Sequence, residues 1–102
     1  MRATLEYTPQ AINDLDNVYD GVLEASCDKN TADKYISDLV NEIDKKRDFP
    51  LSTPVFDFYD LMLDIHHFTF KAYIVFYKVE NNTLRVLRVL PSKMDYMRKL
   101  KF

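Results

Sequence analysis

The sequence contains one cysteine, one glycine and no tryptophan. The lone Cys27 excludes an intrachain disulfide framework and a cysteine zinc cluster. The lone Gly21 excludes the glycine-rich loops that cradle phosphates. No apolar run approaches the ~20 residues needed to span a bilayer. The opening MRATLEYTPQ has no apolar core of the signal-peptide kind. These absences predict a cytoplasmic protein with no membrane partner. Net charge is scarce as well: the formal value of -2 taken alone argues against a nucleic-acid binder.

What is present is an ordinary globular composition. Of the 102 residues, 47% are hydrophobic and 29% charged, which rules out disorder and fits one domain. A chain of this size buries about two-thirds of its unfolded surface, so it needs no disulfide or metal for stability. Seven Tyr and seven Phe suggest a core built around rings. The small net charge hides a division. Residues 1–70 carry 6 Lys and Arg against 14 Asp and Glu, whereas residues 71–102 carry 8 against 2.

Hydrophobic periodicity gives the element order. Ala3, Leu5 and Tyr7 alternate with Arg2, Thr4 and Glu6, as in a strand with one buried face. Thr8-Pro9 reads as an N-cap with proline at the first helical position. Ile12, Leu15, Tyr19, Val22 and Leu23 then recur at helical spacing, predicting a helix from Pro9 to Ala25. Asp14 and Asp16 are expected near its positive dipole end, and Asp14, Asp16, Asp20 and Glu24 on a solvated face. A polar break follows. Thr31 can cap a second helix with the stripe Ala32, Tyr35, Ile36, Leu39, Val40 and Ile43, ending near Arg47 because Pro50 disfavours helical geometry before it. The short break makes the two helices an antiparallel hairpin.

Residues 50–60, with two prolines, read as an ordered surface loop. From Leu61 the pattern turns to strands, with Leu61, Leu63 and Ile65 alternating with Met62, Asp64 and His66. Ala72 to Val79 is apolar on both faces and should be the central strand. Asn81-Asn82 suits a two-residue hairpin turn, because Asn tolerates positive φ. Leu84 to Leu90 forms the next strand, Pro91 ends it, and Met94 to Leu100 forms a short helix or coil. The fold class is α+β, ordered β-α-α-β-β-β, with a helical hairpin packed on a small, mainly antiparallel sheet.

Few residues carry obvious chemistry. Adjacent His66 and His67 point to opposite faces of a strand, and no third metal ligand lies at useful spacing. One surface and one packed histidine is the ordinary reading, although His66 shares its face with Asp64 and Phe68. Arg85 and Arg88 are expected on opposite faces of their strand, with Arg88 between Val86 and Leu90 and its stem packed. Lys93, Tyr96, Arg98, Lys99 and Lys101 follow; such a segment can bind phosphates and stack a base, or it is a solvated tail. Cys27 has only Lys29 as a possible activator and reads as a bystander thiol.

YTPQAINDLDNVYDGVLE resembles the opening of the RelE/ParE toxin superfamily of type II toxin–antitoxin systems. ADKYISDLVNEIDKKRDFP resembles its second helix and AYIVFYKVENNTLRVLRVLPSKMDYMRKL its final hairpin and tail, so the similarity covers nearly the whole chain. The resemblance implies a helical hairpin on a small sheet, no metal or other cofactor, and a small antitoxin partner that holds the toxin inactive. RelE-like members cut mRNA at the ribosome; ParE-like members inhibit DNA gyrase and need no catalytic set. Carried over, the resemblance makes His66, Arg88, Lys93 and Tyr96 the candidate catalytic residues, and Lys71, Arg85, Arg98 and Lys99 candidate contacts to RNA or another target. Departures remove positive charge from the expected active face: His66 and Ile74 stand where arginine is common, and Pro91-Ser92 replaces an aromatic-glycine pair. Ribosome-dependent cleavage, gyrase inhibition, and antitoxin binding without toxicity are the readings that follow.

Overall fold

The computed structural model describes residues 3–50, 55–56 and 65–92. Strand β1 (Thr4–Tyr7) leads into helices α1 (Pro9–Ser26) and α2 (Lys29–Lys45), then strands β2 (Val55–Phe56), β3 (Ile65–Phe70), β4 (Tyr73–Glu80) and β5 (Thr83–Pro91). The strands form one sheet in the order β1-β5-β4-β3-β2. β1 pairs with β5 in parallel and the other pairs are antiparallel. The α+β class and the central place of β4 agree with the sequence pattern, and the element order agrees apart from the added short strand β2.

Local chemistry sets the boundaries. Thr8 caps α1 by accepting from the Ala11 N–H at 3.1 Å, ahead of Pro9. The helix ends at Cys27, whose left-handed conformation (φ 54°) lets its N–H reach the Leu23 carbonyl at 2.8 Å. α2 starts earlier than expected. Asp28, not Thr31, is the cap; its Oδ1 accepts from the Asn30 N–H at 3.0 Å, and the Thr31 hydroxyl donates to Oδ2 at 2.8 Å. Aspartate out-competes threonine here because it accepts at two oxygens. Asn81 and Asn82 both take positive φ (51° and 57°) in the β4–β5 turn, as their sequence implies. Lys71 does the same (φ 53°) in the β3–β4 turn, a turn with no such signature.

The helical hairpin covers one face of the sheet. Ala11 and Val18 of α1 and Leu39 and Ile43 of α2 pack on Val75, Tyr77, Leu84, Val86 and Val89, all buried. Each fully buried Val, Leu or Ile among them contributes about 1.5–3 kcal/mol. Val55 and Phe56, expected within a surface loop, instead pair with His66 and Ile65 of β3. The expected strand residues Leu61 to Asp64 and the expected helix or coil from Met94 to Leu100 lie outside the described residues.

Candidate functional site

β5 is longer than the strand beside it. Its parallel partner β1 stops at the Tyr7–Val86 pair, while β5 runs on to Pro91. Backbone groups beyond Val86 on that edge would be left without a ladder. The first turns of α1 supply the missing partners. The Thr8 N–H donates to the Val86 carbonyl at 3.0 Å, and the Thr8 hydroxyl donates to the Leu87 carbonyl at 2.9 Å. The Val89 N–H then donates to Oδ2 of Asp14 at 2.9 Å. Thr8 therefore caps a helix and closes a strand edge with one hydroxyl.

Asp14 is 4% exposed, so the expected solvated acidic face does not include it. Nor does it lie in the first turn of α1, which holds no acidic residue; this carboxylate answers a strand edge and a cation rather than the helix dipole. Arg88 grips it with two bonds, Nε to Oδ2 at 2.7 Å and Nη2 to Oδ1 at 3.1 Å. Both side chains are largely withdrawn from water. Ala11, Asp14 and Val18 follow one helical face, and both flanking residues are buried.

A bulge changes the reading of the two arginines. Tyr77 pairs with Val86 and Phe76 with Arg88, so Leu87 is the extra residue. The alternation resets there. Arg85 lies opposite Lys78 and Arg88 opposite Phe76, and these β4 residues share one face, so the arginines do not take the opposite faces expected. Arg88 shares its face with Leu90, opposite Ile74, but not with Val86, opposite Tyr77. Arg85 Nε meets Glu6 Oε2 at 3.1 Å in an exposed pair.

The register also separates the expected catalytic residues. His66 lies opposite Tyr77, and Arg88 opposite Phe76. Tyr77 and Phe76 are consecutive, so His66 and Arg88 belong to opposite faces, with β4 between their strands. His66 is buried, its ring stacked on Tyr77 at 5.3 Å between centroids. The Tyr77 hydroxyl donates to the Pro50 carbonyl at 2.6 Å. The residue in the cross-strand row of Arg88 is His67, tilted against Phe76 at 6.3 Å. Burial, then the neighbouring His66, lowers the His67 pKa below its usual 6.5. No sequence signal distinguished the two histidines, because the bulge decides which one shares Arg88's face.

Lys71 is exposed at the β3–β4 turn, its ammonium 4.8 Å above the Tyr35 ring and 5.4 Å above Phe70. Lys93, Tyr96, Arg98 and Lys99 lie outside the described residues. Among the described residues no His, Cys, Asp and Glu group is arranged to hold a metal, and no helix is long and apolar enough to cross a membrane. The arrangement offers exposed surface, a half-buried arginine paired with a buried carboxylate, and packed aromatic rings. Among the described residues it does not bring His66 and Arg88 to one face.

Residues 5–96 match the family model described as the ParE toxin of the type II toxin–antitoxin system, parDE. A solved structure described as the chromosomal ParDE TA system from P. aeruginosa is similar in fold, with a TM-score of 0.72 at 17% identity; the match covers 88% of this chain and 96% of that one. No curated protein sequence matches the chain. With the family model spanning almost the whole sequence and the helical hairpin on its mixed sheet agreeing with it, the chain belongs to the ParE toxin family of type II toxin–antitoxin systems.

Proposed function

We propose that this ParE-family toxin stops growth by gripping a protein target, DNA gyrase, rather than by cutting ribosome-bound mRNA, and that a small antitoxin neutralises it. The engagement of Arg88 carries this reading. A cleavage mechanism needs a cation free to meet charge developing on the phosphate and a general base facing the same atoms. Here the Arg88 charge is matched by the Asp14 carboxylate, and His66 belongs to the other face of the sheet. Binding a protein requires neither arrangement. It requires shape and charge at a surface, which the exposed Lys71 and Arg85 and the basic segment with Arg98 and Lys99 contribute.

The test is a supercoiling assay with purified toxin beside a translation reaction read for mRNA cuts. Inhibited supercoiling with intact mRNA is the expected result. Cut mRNA with unaffected supercoiling overturns the reading and returns His66, Arg88, Lys93 and Tyr96 to candidacy as a catalytic set. Expression without an antitoxin should arrest growth. Harmless expression with retained binding to a cognate antitoxin would identify a member that only binds its antitoxin.

A further inference from the structure

β1 is an outer strand of the sheet, paired only with β5. In a parallel pair, alternate residues bond to the neighbouring strand and those between them point away. The Thr4 N–H donates to the Asn82 carbonyl at 2.8 Å and the Thr8 N–H to the Val86 carbonyl at 3.0 Å, so Thr4, Glu6 and Thr8 face β5. Ala3, Leu5 and Tyr7 therefore turn their N–H and C=O groups outward. Ala3 is already engaged. Its N–H donates to the Arg47 carbonyl at 3.0 Å, and its carbonyl accepts from Arg47 Nε at 2.8 Å. Asp44 holds the same guanidinium at 2.8 Å. Among the described residues nothing bonds the outward groups of Leu5 or Tyr7. The opening is bounded by Arg47 at one end and by the Thr8 cap of α1 at the other. Within it, Leu5 and Tyr7 each present one donor and one acceptor, the pattern that an added strand satisfies.

The side chains of β1 select the occupant. Leu5 and Tyr7 are half-buried against the core beneath the helical hairpin, so residues set opposite them share an apolar face. Glu6 between them is exposed on the other face, with Arg85 of β5 on one side at 3.1 Å. A residue opposite Glu6 on an added strand stands on its other side, and a cation there completes a row of alternating charge. A second copy of this chain fits badly. A two-fold antiparallel pairing that uses Leu5 and Tyr7 of both copies sets Glu6 directly opposite Glu6, where like charges destabilise. Centring the pairing on Leu5 instead calls on the Ala3 groups that Arg47 already holds.

We propose that the outer edge of β1 binds an extended segment of a partner protein by strand addition, the segment running antiparallel and carrying a Lys or Arg between two apolar residues. Main-chain bonds to Leu5 and Tyr7 hold the segment, and the pairing of its cation with Glu6 fixes its register and rejects acidic segments. The site follows from the strand geometry and does not depend on whether DNA gyrase is the toxin's target.

The test titrates the isotopically labelled full chain with a short synthetic peptide centred on Val-Lys-Val and with its Val-Glu-Val counterpart, read by amide shifts and hydrogen exchange. The Lys peptide should slow exchange at the Leu5 and Tyr7 amides and leave Thr4 and Glu6, already bonded to β5, unchanged. It should bind about fivefold more tightly than the Glu peptide at low salt, with the preference fading as salt is added. Leu5→Pro removes an outward N–H without touching a bond to β5 and should weaken binding about fivefold. Glu6→Lys, a change at an exposed position, should reverse the preference to the Glu peptide. No binding, equal binding of the two peptides, protection centred away from Leu5 and Tyr7, or an unreversed preference in the Glu6→Lys chain would each overturn the proposal. Concentration-dependent protection of Leu5 and Tyr7 without peptide would also overturn it, assigning the edge to a second copy.

Discussion

Arg85 and Arg88 stand on the same strand, and each faces a carboxylate from an element packed beside it. The chemistry of the two pairs is the same and their surroundings are not. Arg85 and Glu6 are 46% and 52% exposed, so water screens them and either partner keeps good solvation alone. The Arg88 and Asp14 side chains are 17% and 5% exposed, and Asp14 also satisfies a backbone N–H that has no strand to bond. Losing one partner of the exposed pair releases an ion to water. Losing Asp14 strands both a guanidinium and an amide. Burial and the second task make one pair structural and leave the other available as a contact surface.

Breaking the buried pair should have the largest effect. Asp14→Ala is expected to cost about 3–5 kcal/mol in urea unfolding, because it leaves a buried charge and an orphaned N–H. Asp14→Asn keeps an oxygen for the Val89 N–H and should fall between wild type and Ala. If Asp14→Ala costs no more than Glu6→Ala, the contrast between the pairs collapses. Thr8→Ala comes next, at about 1–2 kcal/mol, since it removes the α1 cap and the bond to the Leu87 carbonyl. Helix content retained with a lowered Tm would place that loss at the junction of α1 and β5.

A smaller effect concerns His67. Its folded-state pKa lies below the usual 6.5, so the unfolded chain binds more protons as pH falls through that value. This group's contribution is therefore present above about 6.5 and is lost on acidification. Tm measured from pH 7.5 down to pH 5.5 should fall less in His67→Gln than in wild type. An identical slope would show that His67 does not titrate differently on folding. The smallest effect is expected from Arg85→Ala, at about 0.5 kcal/mol or less. A double-mutant cycle with Glu6→Ala should give coupling of that order at low salt and none in high salt, while the Asp14–Arg88 cycle should persist in both.

Much of the architecture is legible in the residues because it depends on local rules. The Thr8-Pro9 start, the apolar stripe of α2 and the Asn81-Asn82 turn each need only near neighbours, and the structure agrees with all three. What misled was non-local. Asp14 looks like one acid in an acidic helix until β5 is known to outrun β1. Arg88 is expected on the face opposite Arg85, with no particular partner, until the bulge at Leu87 and the approach of α1 are known. The pairing of Val55 and Phe56 with β3 is invisible in a segment holding two prolines. The family was legible despite these misses, because it rests on the order of elements along nearly the whole chain and not on any single motif.

The closure of the β5 edge by Thr8 and Asp14 also bears on solubility. An uncovered run of strand backbone is a template on which another chain can add, and it leads to edge-to-edge aggregation. In this protein the first turns of a helix occupy the hydrogen-bonding positions that a foreign strand would use, and a buried ion pair holds that helix in place. Proteins often blunt such edges with charge or proline. Here the protection is built into the start of α1, so loosening Asp14 should expose a sticky strand edge before it unfolds the domain.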